Sequence, residues 1–424
     1  MIKQRFKIQE IAKDFGDAPF GSNLKSKDYT ESGIPVIQGG NIVDQKFEWN
    51  NKLYVSEQKF NSLKRSHCRA GDLVFPKIGN RTVSSCTIVP VVEGHKIFLL
   101  STNMMKVSVK PEIANLQYVY YYFCQKHIRQ YIVSIAGGGA QPIFNLTTLK
   151  NFEIELPHLP LQRKIAGVLS AYDDLIENNT RRIEILEEMA RSIYREWFVK
   201  FRFPGHEQVQ MVDSGLGLIP EGWEIVSFTD IADILSGGTP KTRIPEYWGG
   251  DIPFFTPKDA SSSFYVTETD KSITELGLKK CNSKLYPQNT VFITARGTVG
   301  KAVLTAVDMA MNQSCFALKG REDINQYFIF LTVNAYAAHL KQTASGATFD
   351  AIIIDNFRRL MVVKPPLNLL GNFGTLIQPF FEKILNLLNK NANLRQTRDL
   401  LLPRLISGEI DVENLDINTG SIAA

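Results

Sequence analysis

A long internal repeat constrains the fold of this 424-residue chain more than any other feature. Residues 136–200 align with residues 344–408 without a gap, and a shorter upstream match joins residues 33–37 to residues 251–255. Chance similarity between ordinary α/β segments is the alternative, but an ungapped match of this length disfavours it. The sequence therefore predicts a globular unit, a helix, a second globular unit and a second helix.

The composition is that of an ordinary globular protein. Hydrophobic residues make up 44% and charged residues 21%, which excludes a disordered or collagen-like chain. The formal net charge of +5 permits a nucleic-acid partner without requiring one, because clustered charge matters more than the total. The five cysteines are dispersed, the N-terminus lacks the apolar core of a signal peptide, and no apolar run is long enough to span a membrane. We therefore expect a reduced, cytoplasmic protein.

Each globular unit has the pattern of a mixed α+β domain. Short β-branched and aromatic runs lie between Gly, Pro and Asn turns, which is typical of strands. In the first unit these runs cover residues 34–37, 73–75, 107–109 and 153–156. Apolar periodicity predicts one helix over residues 116–129 and another over residues 325–340.

Two long helices give the clearest periodic signal. From Ile165 to Trp197 the apolar positions alternate spacings of four and three, which is the period of a coiled coil, and the repeat carries the same seam from Phe373 to Leu405. Each helical region covers about 40 residues, or roughly 60 Å. Pro379 is expected to kink or restart the second helix, and Pro403 to kink or end it.

The seams predict an antiparallel coiled coil with a pseudo-twofold axis. Asn179 interrupts the first seam, and Asn391 and Arg398 interrupt the second. A buried Asn pair fixes the register of a coiled coil at some cost in stability. One register of the two helices brings these interruptions together. In it the guanidinium of Arg398 lies on the ring of Tyr172. It pairs Asn179 with Asn391, Ile183 with Leu387, Ala190 with Phe380 and Tyr172 with Arg398.

Motifs for catalysis are missing. The six histidines are dispersed and form no His-Glu-x-x-His pair for zinc. The segment Gly297-Thr-Val-Gly-Lys301 is too short for a phosphate-binding loop and lacks the Ser or Thr that follows its lysine. Neither the motifs of an amino-methyltransferase nor those of a nuclease occur. We therefore expect a non-catalytic chain without a metal or cofactor of its own.

Polar loops with Gly, Lys, Arg, Asn and Gln occur at comparable places in both repeats. Arg and Lys donate to guanine edges, Asn and Gln pair with adenine, and glycine lets backbone amides approach phosphates. A solvated turn is the alternative for any single loop. The candidate DNA-contacting residues are Gln38, Asn41, Lys77, Arg81 and Gln141 in the first repeat, and Lys241, Thr242, Arg243, Lys258, Arg296 and Lys301 in the second.

Five segments together make the chain resemble the specificity subunits of type I restriction-modification systems, over nearly its whole length. The tail Leu400-Leu-Leu-Pro-Arg-Leu-Ile-Ser-Gly-Glu-Ile410 is the most specific of them. The others are Leu156-Pro-His-Leu-Pro-Leu-Gln-Arg-Lys-Ile165, Gly217-Leu-Ile-Pro-Glu-Gly-Trp-Glu224, Gly237-Gly-Thr-Pro240 with Tyr247-Trp-Gly-Gly-Asp-Ile-Pro253, and Arg296-Gly-Thr-Val-Gly-Lys301. In the first half, Gly16-Asp-Ala-Pro19 is a looser counterpart of Gly237-Gly-Thr-Pro240.

The resemblance implies a domain organisation and a function. It implies target recognition domains at residues 1–157 and 206–365, each reading half of a split DNA site, and spacer helices at residues 158–205 and 366–424. The helices would dock two modification subunits, which bind S-adenosylmethionine and methylate adenine. Two restriction subunits would add cleavage driven by ATP with Mg²⁺.

The outer flank of the first long helix is a candidate docking surface for the modification subunits. We expect Arg181, Arg182, Glu187 and Glu188 to contribute, with simple solvation of a coiled-coil exterior as the alternative. Two other functions stay open at this stage: a coiled-coil scaffold that binds only protein, and a complete DNA-modifying enzyme. Salt-dependent, sequence-preferring DNA binding would exclude the scaffold, and methyl transfer by the isolated chain would favour the enzyme.

Overall fold

The computed structural model describes residues 2–79, 82–137, 142–321, 323–344 and 351–417. The chain divides into two compact units, and the two long helices contribute a segment to each. Unit 1 comprises Met1–Leu175 with Leu394–Ala424, and unit 2 comprises Ile176–Asn393. None of the helices in the described part combines the length and hydropathy that a membrane crossing requires.

Unit 1 contains two main sheets, a short hairpin of Ile42–Val43 with Lys46–Phe47, and one further strand pair, and all four predicted strands are present. The four-stranded sheet has the order Thr87–Ile88, Leu73–Pro76, Met104–Val109, Ala12–Asp17. The five-stranded sheet has the order Tyr29–Thr30, Tyr54–Val55, Ile34–Ile37, Ile97–Leu100, His67–Arg69. The antiparallel pair joins Gln4–Lys7 to Glu153–Leu156, so the first strand of the unit lies beside its last.

Unit 2 repeats this plan with some rearrangement of the strands. Its five-stranded sheet has the order Ala232–Ser236, Cys315–Gly320, Val291–Thr294, Ala302–Thr305, Tyr265–Val266. The three-stranded sheet has the order Ser272–Ile273, Trp248–Phe255, Ala310–Met311. Two antiparallel pairs complete the unit: Glu224–Ser227 with Met361–Lys364, and Met211–Ser214 with Gly217–Pro220.

The helix predicted in each unit is two helices. In unit 1, Leu116–Cys124 and Lys126–Ile135 are separated by Gln125, whose backbone is extended. The buried Gln125 side chain donates to the Tyr122 carbonyl, which occupies an acceptor at the end of the first helix. In unit 2, Gln326–Ala335 and Ala337–Ala344 are separated at Tyr336. The apolar period continues across both breaks, so it could not reveal them.

The remaining short α-helices of the described residues are Ile8–Ile11, Glu57–Ser62, Leu146–Asn151, Phe228–Ile231, Glu275–Lys279 and Ile354–Arg359.

The two long helices form part of the core of both units. The first runs over Leu159–Tyr194 and continues as a π-helical turn over Arg195–Val199, and the second runs over Leu367–Ser407. In unit 1, Ile165 and Leu405 belong to one buried apolar cluster with the four-stranded sheet. In unit 2, buried apolar side chains of both helices pack with the five-stranded sheet, among them Ile183, Ala190, Phe373, Ile377 and Phe381.

The second long helix is continuous, which excludes the restart expected at Pro379 and the end expected at Pro403, while a kink at either proline stays a prediction. The helix passes through Pro379 and Pro403 without ending or restarting, and it ends at Ser407 before Gly408, whose φ is +88°. Both prolines are exposed, so the carbonyl groups that lose an N–H partner lie on the face that water reaches. Apolar packing on the opposite face keeps the helix continuous.

The predicted register is confirmed where it was most specific. Asn179 Nδ2 donates to Asn391 Oδ1 at 2.9 Å, and Asn391 Nδ2 donates to Ile176 O at 3.3 Å and Thr180 Oγ1 at 3.2 Å. Antiparallel packing of the two helices within unit 2 follows from this pair together with Trp197, whose ring centroid lies 5.7 Å from that of Phe373. These bonds satisfy the amide of Asn391, which is 1% exposed.

The partner predicted for Arg398 requires correction. Its guanidinium pairs with the carboxylate of Asp173 and with Asp399, instead of lying on the ring of Tyr172. Asp173 also accepts a 2.6 Å hydrogen bond from the Tyr121 hydroxyl, which connects both long helices to the helix Leu116–Cys124 within unit 1. A charge-assisted bond to a carboxylate is stronger than a ring contact, and the residue next to Tyr172 supplies that carboxylate.

Candidate nucleic-acid interface

In unit 2, the loop after the strand Ala232–Ser236 is fixed against the segment that follows Ala310–Met311. Gly238 N donates to Met311 O at 3.1 Å, and Thr239 Oγ1 donates to the side chain of Gln313. A Cβ atom on Gly237 would lie 2.2 Å from the carbonyl oxygen of Asn312. Glycine is therefore required here for backbone to lie directly on backbone.

The loop after the strand Val291–Thr294 meets the same segment. Arg296 N donates to Ser314 O at 3.3 Å, and Thr298 Oγ1 donates to Pro257 O at 3.1 Å. Gly297 has a φ of +78°, which lets the loop turn back at this point. These contacts join three loops, covering residues 237–243, 256–259 and 296–301, into one surface that we call the unit 2 edge.

The candidate side chains on the unit 2 edge are available for a ligand. All six are exposed: the uncharged Thr242 and the cations Lys241, Arg243, Lys258, Arg296 and Lys301. The described part of the chain provides no ion pair to any of these five cations. The unneutralised charge of five cations from three loops favours a polyanion. Gln313 is also exposed on this edge but was missed in the sequence. Its signal is the polar triplet Asn312-Gln-Ser314 between two buried strands.

The loops of unit 1 that carry Gln38, Lys77 and Asn103 also come together, and we call this surface the unit 1 edge. Lys77 N donates to Asn103 O at 2.8 Å. A Cβ atom on Gly39, next to Gln38, would lie 3.9 Å from Pro76 Cβ. Asn103 is exposed and was missed in the sequence. Candidate residues Arg81 and Gln141 lie outside the described residues.

The structure corrects the role predicted for Asn41. Its side chain is fully buried, where Oδ1 accepts from Gln38 N at 2.9 Å and Nδ2 donates to Glu48 O at 2.9 Å. With these bonds made, the amide organises the turn and has no free edge for a base. The half-buried Gln38 side chain donates to Asn51 O at 3.4 Å, a long hydrogen bond that a stronger acceptor could replace.

The charge of Lys77 is already neutralised inside unit 1. Its ammonium lies 2.8 Å from Asp17 Oδ1, and the other oxygen of this buried carboxylate pairs with Arg65. Asp17 belongs to Gly16-Asp-Ala-Pro19, the looser counterpart of Gly237-Gly-Thr-Pro240. The unit 1 edge therefore carries less free positive charge than the unit 2 edge.

The predicted docking flank divides into exposed and buried residues. Arg181 and Arg182 are exposed, and so is Glu188, which pairs with Arg195 at 3.3 Å. Glu187 is instead 5% exposed. Its Oε1 accepts from Ser263 Oγ and from Phe264 N, both at 2.7 Å, and Arg191 lies 3.2 Å from Oε2.

The docking role predicted for Glu187 is therefore replaced by a structural one. Its carboxylate anchors the turn before the strand Tyr265–Val266 to the first long helix. Among the residues that the structure describes, no cluster of three or more His, Cys, Asp or Glu side chains could hold a metal ion.

Comparison with known proteins identifies the family. The family model of the type I restriction modification DNA specificity domain matches residues 4–188 and again residues 220–394. The chain belongs to this family. Two full copies of the domain account for the internal repeat, and the specificity subunit is the DNA-recognition component of a type I restriction-modification complex, not its catalyst.

Curated relatives agree with this assignment over most of their length. The chain is 29% identical over 420 residues to the type I restriction enzyme MjaIX specificity subunit of Methanocaldococcus jannaschii, covering 98% of this chain and 95% of that protein. It is 22% identical over 374 residues to the HindI specificity subunit of Haemophilus influenzae, covering 74% and 81%. Among solved structures, the S subunit of a type I restriction-modification system from M. genitalium matches with a TM-score of 0.59 at 15% identity, covering 96% of both chains, which supports the fold.

Proposed function

We propose that the unit 1 edge and the unit 2 edge each read one half of a bipartite DNA site. In this proposal residues 1–157 and 206–365 are the target recognition domains, residues 158–205 contain the first spacer helix, and residues 366–424 contain the second spacer helix and the C-terminal tail. The observation that carries it is that the specificity domain occurs twice, and each copy presents polar loops gathered at one edge of its sheets.

The side chains of the unit 2 edge suit the major groove. Arg243 and Arg296 present forked donors that match the O6 and N7 atoms of guanine, and Gln313 can pair with adenine. Lys241, Lys258 and Lys301 supply point charges for phosphates, with Thr242 as a further donor. In the unit 1 edge, Gln38 and Asn103 are the candidates for base contacts, while Lys77 is held by Asp17.

We also propose that the exposed flank of the first long helix docks the modification subunits. Arg181, Ile185, Glu188 and Met189 share one face because they follow helical spacing, and Ile185 and Met189 are 52% and 45% exposed. Exposed apolar side chains among charges are typical of a protein interface. Two modification subunits would bind, as the repeat suggests, with restriction subunits added in the full complex.

The proposal assigns the chemistry to the partners. S-adenosylmethionine, ATP and Mg²⁺ would be bound by the modification and restriction subunits, and this chain would carry no cofactor. A cytoplasmic location follows from the proposed substrate, the cell's own DNA and incoming DNA.

Substitutions on the unit 2 edge test the reading of bases. The complex with its modification subunit is reconstituted with Arg243→Ala or Arg296→Ala, and methylated adenines are mapped in a genome. Loss of a bidentate contact costs about 1–3 kcal/mol, so methylation at sites with a changed base in one half should rise roughly 5–150-fold relative to the cognate site.

In the arginine variants the other half-site should keep its specificity. Lys258→Gln should instead lower the affinity for all DNA sequences equally and reduce the slope of log K against log salt concentration by about 0.9. Relaxation of both halves by a single arginine substitution would contradict the division of the site between the units.

Charge reversal on the long helix tests docking. Arg181→Glu with Arg182→Glu should weaken assembly with the modification subunit while DNA contacts by the edges persist. The matched control reverses Arg358 and Arg359, an exposed adjacent pair on the short helix Ile354–Arg359. Equal assembly by both variants would show that this flank is only solvated.

A further inference from the structure

Unit 1 contains a cleft of about 1150 Å³, and its lining includes Arg65, which pairs with Asp17. The strands Ala12–Asp17 and Met104–Val109 form one side of it, and the turn Lys64–Ser66 forms another. The start of the helix Leu116–Cys124 and Arg163 of the first long helix close the remaining side. None of the candidate DNA-contacting or docking residues lines this cleft.

A buried lysine forms the floor of the cleft. Lys106 is 5% exposed, and its Nζ lies 2.8 Å from Asp14 Oδ2, 3.2 Å from Asp72 Oδ2 and 2.9 Å from Ser108 Oγ. Partial burial raises the pKa of Asp14, but the hydrogen bond and charge of Lys106 bring it below its usual value. Each charge of the floor therefore has a partner within the unit, and the floor holds two carboxylates against one ammonium.

Glycine makes room for this lysine. Gly16 lies opposite Lys106 on the neighbouring strand, and a Cβ atom there would lie 2.7 Å from Lys106 Cγ. The cross-strand row in unit 1 is Gly16, Lys106 and Val74, and the corresponding row in unit 2 is Leu235, Ala317 and Phe292. The row in unit 2 packs as an apolar core. Because apolar replacement of a buried ion cluster is often neutral or stabilising, the fold itself does not require the cluster in unit 1.

The rim of the cleft carries four cations that have no ion-pair partner in the described part of the chain. Lys13, Lys64, Arg69 and Arg163 are exposed and form no ion pair there. The walls between them are mixed: Phe15, Val109 and Leu116 are apolar, and His67 and Gln117 are polar. The cleft therefore offers cations at its mouth and some hydrophobic surface inside.

We propose that this cleft binds an acidic, partly apolar peptide segment of a partner subunit. The inference rests on the proposed function, because the partner is a subunit of the same complex. Carboxylates of the segment pair with the rim cations, and its apolar side chains cover the walls. The phosphates of a DNA duplex could pair with the rim cations, but its sugar-phosphate backbone offers no aliphatic side chains to cover Phe15 and Leu116. The row that contains Lys106 is polar only in unit 1, so each chain has one such site and not two.

The test uses the full chain and its modification subunit. The variant Lys64→Glu with Arg69→Glu reverses two rim charges, and Lys279→Glu with Lys280→Glu, an exposed pair in unit 2, is the matched control. We expect the cleft variant to weaken assembly at least tenfold and the control to stay within twofold. A labelled synthetic peptide of alternating Asp and Leu should bind the wild-type chain and the control but not the cleft variant.

The neutral variant Lys64→Gln with Arg69→Gln should show an intermediate loss with an unchanged Tm, which separates binding from misfolding. Unchanged assembly together with a tenfold loss of DNA affinity would overturn the proposal in favour of a phosphate-binding surface. Unchanged assembly and unchanged DNA affinity would also overturn it. A map of methylated adenines distinguishes failure of this proposal from failure of the proposed function. Relaxed half-site specificity in the wild-type complex would contradict the proposed function and would not bear on peptide binding in the cleft.

Discussion

Replacement of Glu187 by alanine should destabilise unit 2 far more than replacement of its neighbour Glu188. Glu187 is buried and accepts hydrogen bonds from Ser263 Oγ and from the buried Phe264 N–H, while Arg191 pairs with its other oxygen. Glu188 is exposed and makes only surface contacts: ion pairs with Arg191 and Arg195 and a hydrogen bond from Ser192 Oγ. The two substitutions remove the same side chain from adjacent positions of one helix.

The magnitude follows from these contacts. A hydrogen bond to a charged group contributes about 1.5–3 kcal/mol, and a buried N–H left without a partner costs about 1–3 kcal/mol. The contributions overlap, so we expect Glu187→Ala to cost about 3–4 kcal/mol. Glu187→Gln keeps an accepting oxygen and should cost about 1–2 kcal/mol. Glu188→Ala loses only surface pairs and should cost at most about 0.5 kcal/mol.

Native-state hydrogen exchange measures the effect separately in each unit, which matters because a two-unit chain need not unfold in one step. Exchange of the core strand Val291–Thr294 in unit 2 should accelerate roughly 10²–10³-fold in Glu187→Ala. The core strand Leu73–Pro76 in unit 1 serves as the internal reference and should not change. Equal acceleration by Glu187→Ala and Glu188→Ala would refute the reasoning, because it would mean that the buried bonds contribute no net stability.

Three further substitutions test other buried polar groups. Asn391→Asp places a carboxyl among buried groups, which raises its pKa in the folded state. Asn391→Asp should cost about 2–4 kcal/mol at pH 7 in urea denaturation, and stability should recover as the pH falls through that raised pKa. Asn179 is half exposed, so Asn179→Asp should cost less in the same assay. Arg398→Met leaves the half-buried Asp173 without its cation, so it should destabilise unit 1 by about 1–3 kcal/mol, and a double-mutant cycle with Asp173→Asn should recover part of that loss. Asn41→Ala removes two bonds of a buried turn and should cost about 1–3 kcal/mol without changing which bases are methylated, as thermal unfolding and methylation mapping would show.

Features that depend on local geometry could be predicted from the sequence. The period of the long helices follows from the fixed geometry of a helix, and the repeat relates the two seams, so the spacing of the residues is enough to pair Asn179 with Asn391. Strand positions were predictable for a similar reason, since β-branched runs between turn residues mark them. The breaks at Gln125 and Tyr336 were not predictable, because the backbone leaves the helical conformation at each residue while the apolar pattern continues.

The sequence by itself determined the repeat, the helical seams and the loops that carry polar side chains, because each is set by residues close together in the chain. Only the tertiary structure decided which polar side chains are free. Lys77 is neutralised by Asp17, 60 residues away, and Glu187 is buried under hydrogen bonds from groups 76 and 77 residues away, whereas Arg243 and Arg296 remain exposed. Burial and pairing depend on distant segments brought together by folding, so residue type alone cannot show whether a charge is available for a ligand.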